Sequence, residues 1–571
     1  MAAADVVYYT DEEMMMIDDV DCIKKSQEEE KNVLEEIHPL LNPSIISNVL
    51  SYLSYEDLKC SRLVCRTWEE ESSTFYKDKF QIMINSEDKL RLFTEEFFHN
   101  RTFSHSVQIG PYMYLGNPSA ESYFNYFGYF IKKLVLLKTQ CSAFHLREIL
   151  FRQAPNIEEL TLHGMTPGKC RFYENLHVYD KDELPNLKVL NINLMSTQGE
   201  HMLHHFLYDL FSVTPNLQKI SVPSPQYKGF LKTLIAVLLE STEVPFKYLK
   251  HVDALFSFGD GHLELLKNRK LPLESLNLQL MPNVTIDLLI PLLESLSGSL
   301  KKLRLYFYLT RFKELPSQLK LDNLQHLTLD TYQGSLRFTT NLPQLKSLTV
   351  TMKCNEELEE AFQSDPVNGE LWTCESLKSF TAVFSVVESC PPHLVSKLAK
   401  CFPSLTSIDL QGLTDSSLRV IFISFPKLEE LSAPQGFYSD SGITGNASNR
   451  FAFNLSIPYD LLKNVELESR LYPSILHTPN LRKLKLYSPD VTDASIYFGV
   501  VLCKELKELS IERSDITDYG IDAIIRFMDL YHLSITQCTR VSGPQLELVK
   551  EKMKYRNLSL DFSSRRAGMY D

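Results

Sequence analysis

No stretch of this 571-residue chain stays apolar for long enough to cross a bilayer. The short run Met14–Ile17 is flanked by acids and makes no signal-peptide core, so an intracellular protein, cytoplasmic or nuclear, is expected. The eleven cysteines include no CxxC pair and their number is odd, which disfavours a disulfide or zinc framework and suits reduced thiols. A basic surplus is missing too. The formal net charge is −13, and a nucleic-acid surface needs clustered Lys and Arg to neutralise phosphates, so neither nucleic acid nor membrane is expected as a partner.

Catalytic signatures are equally scarce. There is no GxSxG elbow and no phosphate-cradling Walker loop, and Gly259-Asp260-Gly261 is too short for a dinucleotide fingerprint. Two near-motifs remain. His201, His205 and Asp209 fall at i, i+4 and i+8, a spacing that lines up metal ligands but is equally ordinary on a half-exposed helix. Cys141 and His145 imitate a thiol–imidazole pair without an orienting third group. A non-catalytic chain is expected, with no cofactor and no metal.

What the chain does have is uneven charge and a repeat. Residues 1–36 hold twelve acids against three lysines, so most of the negative charge sits there, and residues 1–35 read as an acidic, solvated tail. From Ile131 onward the pattern LxxLxL keeps returning. It is clearest at Leu324, Leu481 and Leu506. Weaker copies begin at Ile157, Leu187, Leu217, Leu249, Leu273, Leu300, Leu345, Leu377, Leu405, Leu428, Leu462, Leu530 and Tyr555. The mean spacing is about 26 residues, within the range of a strand-plus-helix repeat of roughly 20–29 residues.

In a strand alternate side chains share a face, so positions four and six of each unit point inward while three and five face solvent. No unit can bury its apolar edge alone. Stacked units form one parallel concave sheet, with segments such as Ile521–Phe527 and Leu203–Phe211 as convex helices. Four units carry a shared helix-start signal at Asp415, Asp440, Asp493 and Asp518, where the Asp or the Ser or Thr before it can cap the next helix. The units resemble the cysteine-containing class of leucine-rich repeat, which often carries Pro-Asn before the first Leu. Pro155-Asn156, Pro185-Asn186, Pro215-Asn216 and Pro479-Asn480 match. Position nine departs from the family's Asn or Cys at Met165, Met195, Met281 and Pro489, and fits at Cys538.

Residues 41–68 are helical in period. Ile45, Ile46, Val49, Leu50 and Leu53 share one apolar face, and Asp57-Leu58 opens a second helix carrying Leu63, Val64 and Trp68. So short a segment cannot bury two such faces, so part of its surface is expected to await a partner. Leu53-Ser54-Tyr55-Glu56-Asp57-Leu58 and Val64-Cys65-Arg66-Thr67-Trp68 resemble the F-box, with Asn42-Pro43-Ser44 standing where the family opens on Leu-Pro-x-Glu.

The F-box and leucine-rich-repeat resemblance implies an α/β solenoid preceded by a small all-α F-box. The domain organisation expected is an acidic tail at 1–35, an F-box at 36–80, a linker and N-terminal cap at 81–130, and the solenoid at 131–571. It further implies the substrate-recognition subunit of a Skp-cullin-F-box ubiquitin ligase. Its partners would be the Skp adaptor, through it cullin and a RING protein, and a protein substrate. The alternative is a non-degradative scaffold. Adaptor contact is carried over to Leu41, Pro43, Ile46, Val49, Leu53, Leu58, Val64 and Trp68, with Trp68 and Leu63 the readiest to pack internally.

On the concave face, position five is mostly small and polar. Two clusters of anchors break it, Lys302, Arg304, Tyr306 and Tyr308 in one unit and Lys483, Lys485 and Tyr487 in another, with Asp409, Glu430 and Glu466 between them. These anchors are expected to face solvent and to contact the substrate.

Overall fold

The computed structural model describes residues 42–53, 55–79, 81–96, 105–164, 183–193, 207–222, 237–239, 246–307, 315–363, 371–445, 473–553 and 557–561. The expected acidic tail lies outside them. Among them no helix is long and apolar enough to cross a membrane.

The alternation of Leu with polar residues builds what the periodicity predicts. The burial of Ser275–Leu280 and Lys302–Phe307 alternates along each strand, with every second side chain in the core. Among the described residues eighteen strands, from Gln81–Ile84 to Asn557–Asp561, form one sheet in which each pairs in parallel with the next along the chain. Register is kept from unit to unit. Leu276, Leu303, Leu327, Leu348, Phe380 and Ile408 are aligned partners on successive strands, and all are buried. The chain is therefore a leucine-rich-repeat solenoid. Its convex side carries helices such as Asp260–Arg269, Ile286–Ser295, Asp415–Ser424 and Asp518–Phe527. The short unit between Leu324 and Leu345 has room only for the 3₁₀ turn Arg337–Asn341.

One departure from the sequence pattern concerns the count of units. Strands Gln81–Ile84 and Ser106–Ile109 extend the sheet ahead of Ile131, because their apolar residues Ile82, Ile84, Val107 and Ile109 pack into the same core without the LxxLxL signature. Strand Glu430–Ala433 pairs directly with Lys483–Tyr487, Glu430 opposite Lys483, and the unit expected from Leu462 lies outside the described residues. Position-five Glu466 lies outside the described residues.

The helix-start motif does more than cap. Thr414, Ser439, Thr492 and Thr517 are the N-caps, each accepting a backbone N–H from the first turn of its own helix. The Asp that follows reaches sideways to the next unit. Asp415 accepts from the Ser439 N–H and hydroxyl at 2.7 and 2.9 Å, and Asp493 from those of Thr517 at 2.8 and 2.5 Å. Asp518 accepts from the Ser542 N–H at 2.7 Å. Asp440 accepts four bonds, two each from Thr492 and Ser495, at 2.5 to 3.1 Å. Gly442 and Gly520 permit this, since a Cβ at either would collide with the Asp reaching across. Farther back, the Pro-Asn side chains of Asn156 and Asn216 donate to Tyr129 O and Pro185 O of the preceding unit at 2.9 and 2.8 Å, as Asn323 does to Gly298 O at 2.8 Å without a preceding Pro.

Leu327→Ala is expected to cost about 2–5 kcal/mol through lost burial and a cavity, whereas the outward Thr328→Ala stays within about 0.5 kcal/mol; equal shifts in urea melts would refute the register. Asp440→Ala, which strips four donors of their acceptor, is expected to cost about 1.5–3 kcal/mol in the same melts.

Candidate functional site

Two surfaces carry side chains that the fold itself does not use. The first is the helical module at the N-terminal end. Asn42 caps helix Pro43–Tyr52 by accepting from the Ser44 N–H at 3.0 Å, with Pro43 in the first turn, so the Asn-Pro order makes a sound helix start. The second helix expected from the sequence is two, Tyr55–Ser61 and Arg66–Lys79. The Ser61 hydroxyl donates to Leu58 O at 2.8 Å, and the chain turns at 62–64 before the next helix begins.

Ile46, Leu50 and Leu58 are wholly buried, with Leu53, Trp68 and Phe75 packed half-buried against them. Ile46 and Leu58, both expected to contact the adaptor, thus pack with Leu50 in the module's own core. Leu63, expected inside, is 87% exposed, because it sits in the turn rather than on a helix face. Leu41 lies outside the described residues. What remains outside is an apolar set: Ile45 and Val49 at 41%, Tyr52 at 84% and Val64 at 64% exposure. Ile45, Val49 and Tyr52 follow one another at i, i+4 and i+7, a stripe along one helix that flanks the buried Ile46 and Leu50.

The second surface is the concave sheet. Lys302, Arg304 and Tyr306 lie on strand Lys302–Phe307, and Lys483, Lys485 and Tyr487 on strand Lys483–Tyr487. Tyr308 lies outside the described residues. Six strand steps separate the two clusters, about 29 Å at ~4.8 Å per step, so they are separate places on one face.

Several of these anchors are not free. Arg304 Nε lies 2.5 Å from the Asp330 carboxylate, itself almost buried, and Thr351 donates to the other oxygen of that group at 3.1 Å. Arg304 faces solvent, as expected, and at the same time neutralises an almost buried acid. Lys483 stands between Glu430 at 3.2 Å and Glu508 at 3.4 Å, and the Glu430 hydrogen bond, then both carboxylates' charge, raise its pKa. Tyr487 bonds through its hydroxyl to Arg513, whose guanidinium also lies 5.2 Å from the ring centre. Arg513 and Glu508 were invisible to the repeat pattern, since neither occupies a position the consensus marks.

Around Lys483 and Lys485 the sheet encloses an open concavity of about 310 Å³, with Asp409, Glu430, Ser432, Glu508 and Ser510 in its wall. Lys485 is exposed and makes no ion pair or hydrogen bond among the described residues. It faces Asp409, whose pKa burial raises while the Ser432 hydroxyl and the Lys485 charge pull it back.

The two catalytic near-motifs do not assemble among the described residues. His145 Nδ1 lies 2.6 Å from the Ser142 hydroxyl, and Cys141 is buried with its Sγ 3.2 Å from Ser142 O, so the imidazole serves a helix cap rather than the thiol. His201 and His205 lie outside the described residues, and the rest hold no group of three or more metal-ligating side chains.

No protein-family model matches this chain, and no curated protein sequence does. Among solved structures, the TLR13–ssRNA13 complex is similar at 14% identity and a TM-score of 0.40, over 80% of this chain and 66% of that one. The Rad7 and Elc1 complex in yeast is similar at 16% identity and 0.34, over 78% and 98%. A leucine-rich-repeat protein of Leptospira interrogans is similar at 16% and 0.32, over 72% and 91%.

The raised Asp409 pKa makes its charge a cost to folding, absent below the ordinary carboxylate range and growing as pH rises through the window up to the raised value. Asp409→Asn is therefore expected to raise the melting temperature at neutral pH but not near pH 3. A shift of equal size at both pH values would show that charge is not the cause.

Proposed function

We propose that this chain is the substrate-recognition subunit of a Skp-cullin-F-box ubiquitin ligase. Its helical module, an F-box by the match at residues 53–58 and 64–68, docks the Skp adaptor and through it cullin and the RING protein. The concave sheet holds a protein target for ubiquitination, the transfer itself taking place on the partners. The observation that carries this reading is the apolar stripe Ile45, Val49 and Tyr52, left in solvent beside the face that the same helix buries through Ile46 and Leu50. An unpartnered apolar stripe on so small a module is costly unless a partner covers it.

Helix Arg66–Lys79 ends one residue before the first strand, at Gln81, so adaptor docking is coupled to the solenoid without a long tether. The solenoid supplies the other half of the reading, an extended face of outward polar side chains suited to a protein surface. Val49 stays among the proposed adaptor contacts, joined by Ile45, Tyr52 and Val64, and Leu53 and Trp68 contribute the edges they leave exposed.

Ile45→Asp with Val49→Asp is expected to abolish co-purification of the adaptor, by on the order of a thousandfold, because each carboxylate would be buried unpaired at several kcal/mol. The thermal transition should stay in place, since neither side chain belongs to the module's core. Undiminished adaptor binding by this variant overturns the assignment. Adaptor without cullin, in a pulldown of the unmodified chain, would favour the scaffold instead.

A further inference from the structure

We propose that the concave face from Lys219 to His326 is a docking strip for an acidic segment of a protein partner, rich in aspartate and glutamate, lying across the strands. This rests on the reading that the target binds the concave face.

Position three of five consecutive strands places Lys219 beside His251, His251 beside Ser275, Ser275 beside Lys302, and Lys302 beside His326. At ~4.8 Å per step the row is about 19 Å long, the span of roughly six extended residues. It contains no acid. Neither Lys219 nor Lys302 has an ion-pair partner among the described residues. Of the acids nearby, Glu274 and Asp330 are paired with cations, and Asp253 is held by neutral donors. Glu274 lies between Lys301 at 2.7 Å and Lys250 at 2.9 Å, and their hydrogen bonds hold its carboxyl down at about 2. Asp330 takes Arg304, and Asp253 accepts from Asn277 at 2.5 Å and from Ser221 at 3.4 Å.

In a chain of net charge −13, a row of uncompensated donors on an outward face is a place of opposite sign, complementary to an anionic segment. The distal strands differ, because Glu430, Lys483 and Glu508 alternate and satisfy one another. A long polyanion such as a nucleic acid would run on into Asp409, Glu430 and Glu508 and be repelled. A short acidic segment would not.

The histidines make the strip sensitive to pH. Burial lowers the pKa of His251, with Lys219, Lys250 and Lys302 adding to this and Glu274 opposing it; burial also lowers that of His326, with Lys302 and Lys346 adding to it. Asp253 shares a strand with His251, as Asp330 does with His326, and Arg304 stands beside Lys302 on the neighbouring strand. At neutral pH both imidazoles are uncharged, and an arriving anion favours their protonation.

The test is fluorescence anisotropy with the full chain and three labelled peptides of about ten residues, one alternating Glu with Ser, one with those serines phosphorylated, and one with Lys for Glu. Both anionic peptides are expected to bind and the lysine peptide not to, and the unphosphorylated Glu peptide is expected to bind more tightly near pH 6 than above pH 7. Equal or tighter binding of the Glu peptide supports a carboxylate-rich segment, and much tighter binding of the phosphopeptide overturns that choice. Lys219→Glu with Lys302→Glu should weaken the anionic peptides more than about tenfold, and Lys483→Glu should not. Lys219→Gln with Lys302→Gln keeps the side-chain bulk and should show the same direction if charge reversal disturbs folding.

No binding of the anionic peptides, equal binding by both lysine variants, or tighter binding of a single-stranded RNA oligonucleotide overturns the proposal. Target capture by the charge-reversed chain would sink the strip and leave the receptor reading standing. Failure to recruit the adaptor would sink that reading while the peptide measurement still decides this one.

Discussion

A single repeat of this chain has nowhere to put its own apolar edge, and that constraint governs the rest. Leu303, Leu327 and Leu348 are buried because each lies in register between neighbours that are equally unable to bury themselves alone. Backbone bonds tie the same junctions together: Lys301 N–H donates to Glu274 O, Gln325 to Lys301 O and Lys346 to Gln325 O, each at 2.8 Å. With inward positions fixed by stacking, every outward position becomes a site where a side chain is free of the core, and the concave face is the sum of those freedoms.

That freedom is spent differently along the sheet. Arg304 is committed to Asp330, Lys483 to two glutamates and Tyr487 to Arg513, whereas Lys219, Lys302 and Lys485 hold no ion pair among the described residues. Pairs of exposed charges such as Lys483 with Glu508 contribute little to stability in water. Their effect is to set where charge remains available. The N-terminal module divides its residues the same way, with Ile46, Leu50 and Leu58 inward and Ile45, Val49 and Tyr52 outward on turns of the same or adjoining helices.

Much of this was legible in the sequence, because a period of two inside a period of about 26 names both the strand and the stacking. The inward Leu positions and the caps at Thr414, Ser439, Thr492 and Thr517 follow from local chemistry alone. Strands at Gln81 and Ser106 escaped because Gln-Ile-Met-Ile and Ser-Val-Gln-Ile alternate too briefly to be told from other apolar runs. Pairings such as Arg304 with Asp330 join residues 26 apart in the sequence, and nothing in a one-dimensional pattern says which outward side chains will meet. In the module, Ile45 and Ile46 are chemically alike, and only the crossing of three helices decides which one reaches the core.

The sideways reach of Asp415, Asp440, Asp493 and Asp518 has an implication for how such a protein can be rearranged. Every one of these carboxylates belongs to one unit and serves the cap of the unit after it, so the joint has a donor side and an acceptor side that cannot be exchanged. A unit excised, duplicated or grafted from another solenoid must bring Ser or Thr at its own helix start and find an Asp waiting on the unit before it. Recombination in this part of the chain is therefore phased, with the permissible seams recurring once per unit and in one direction only.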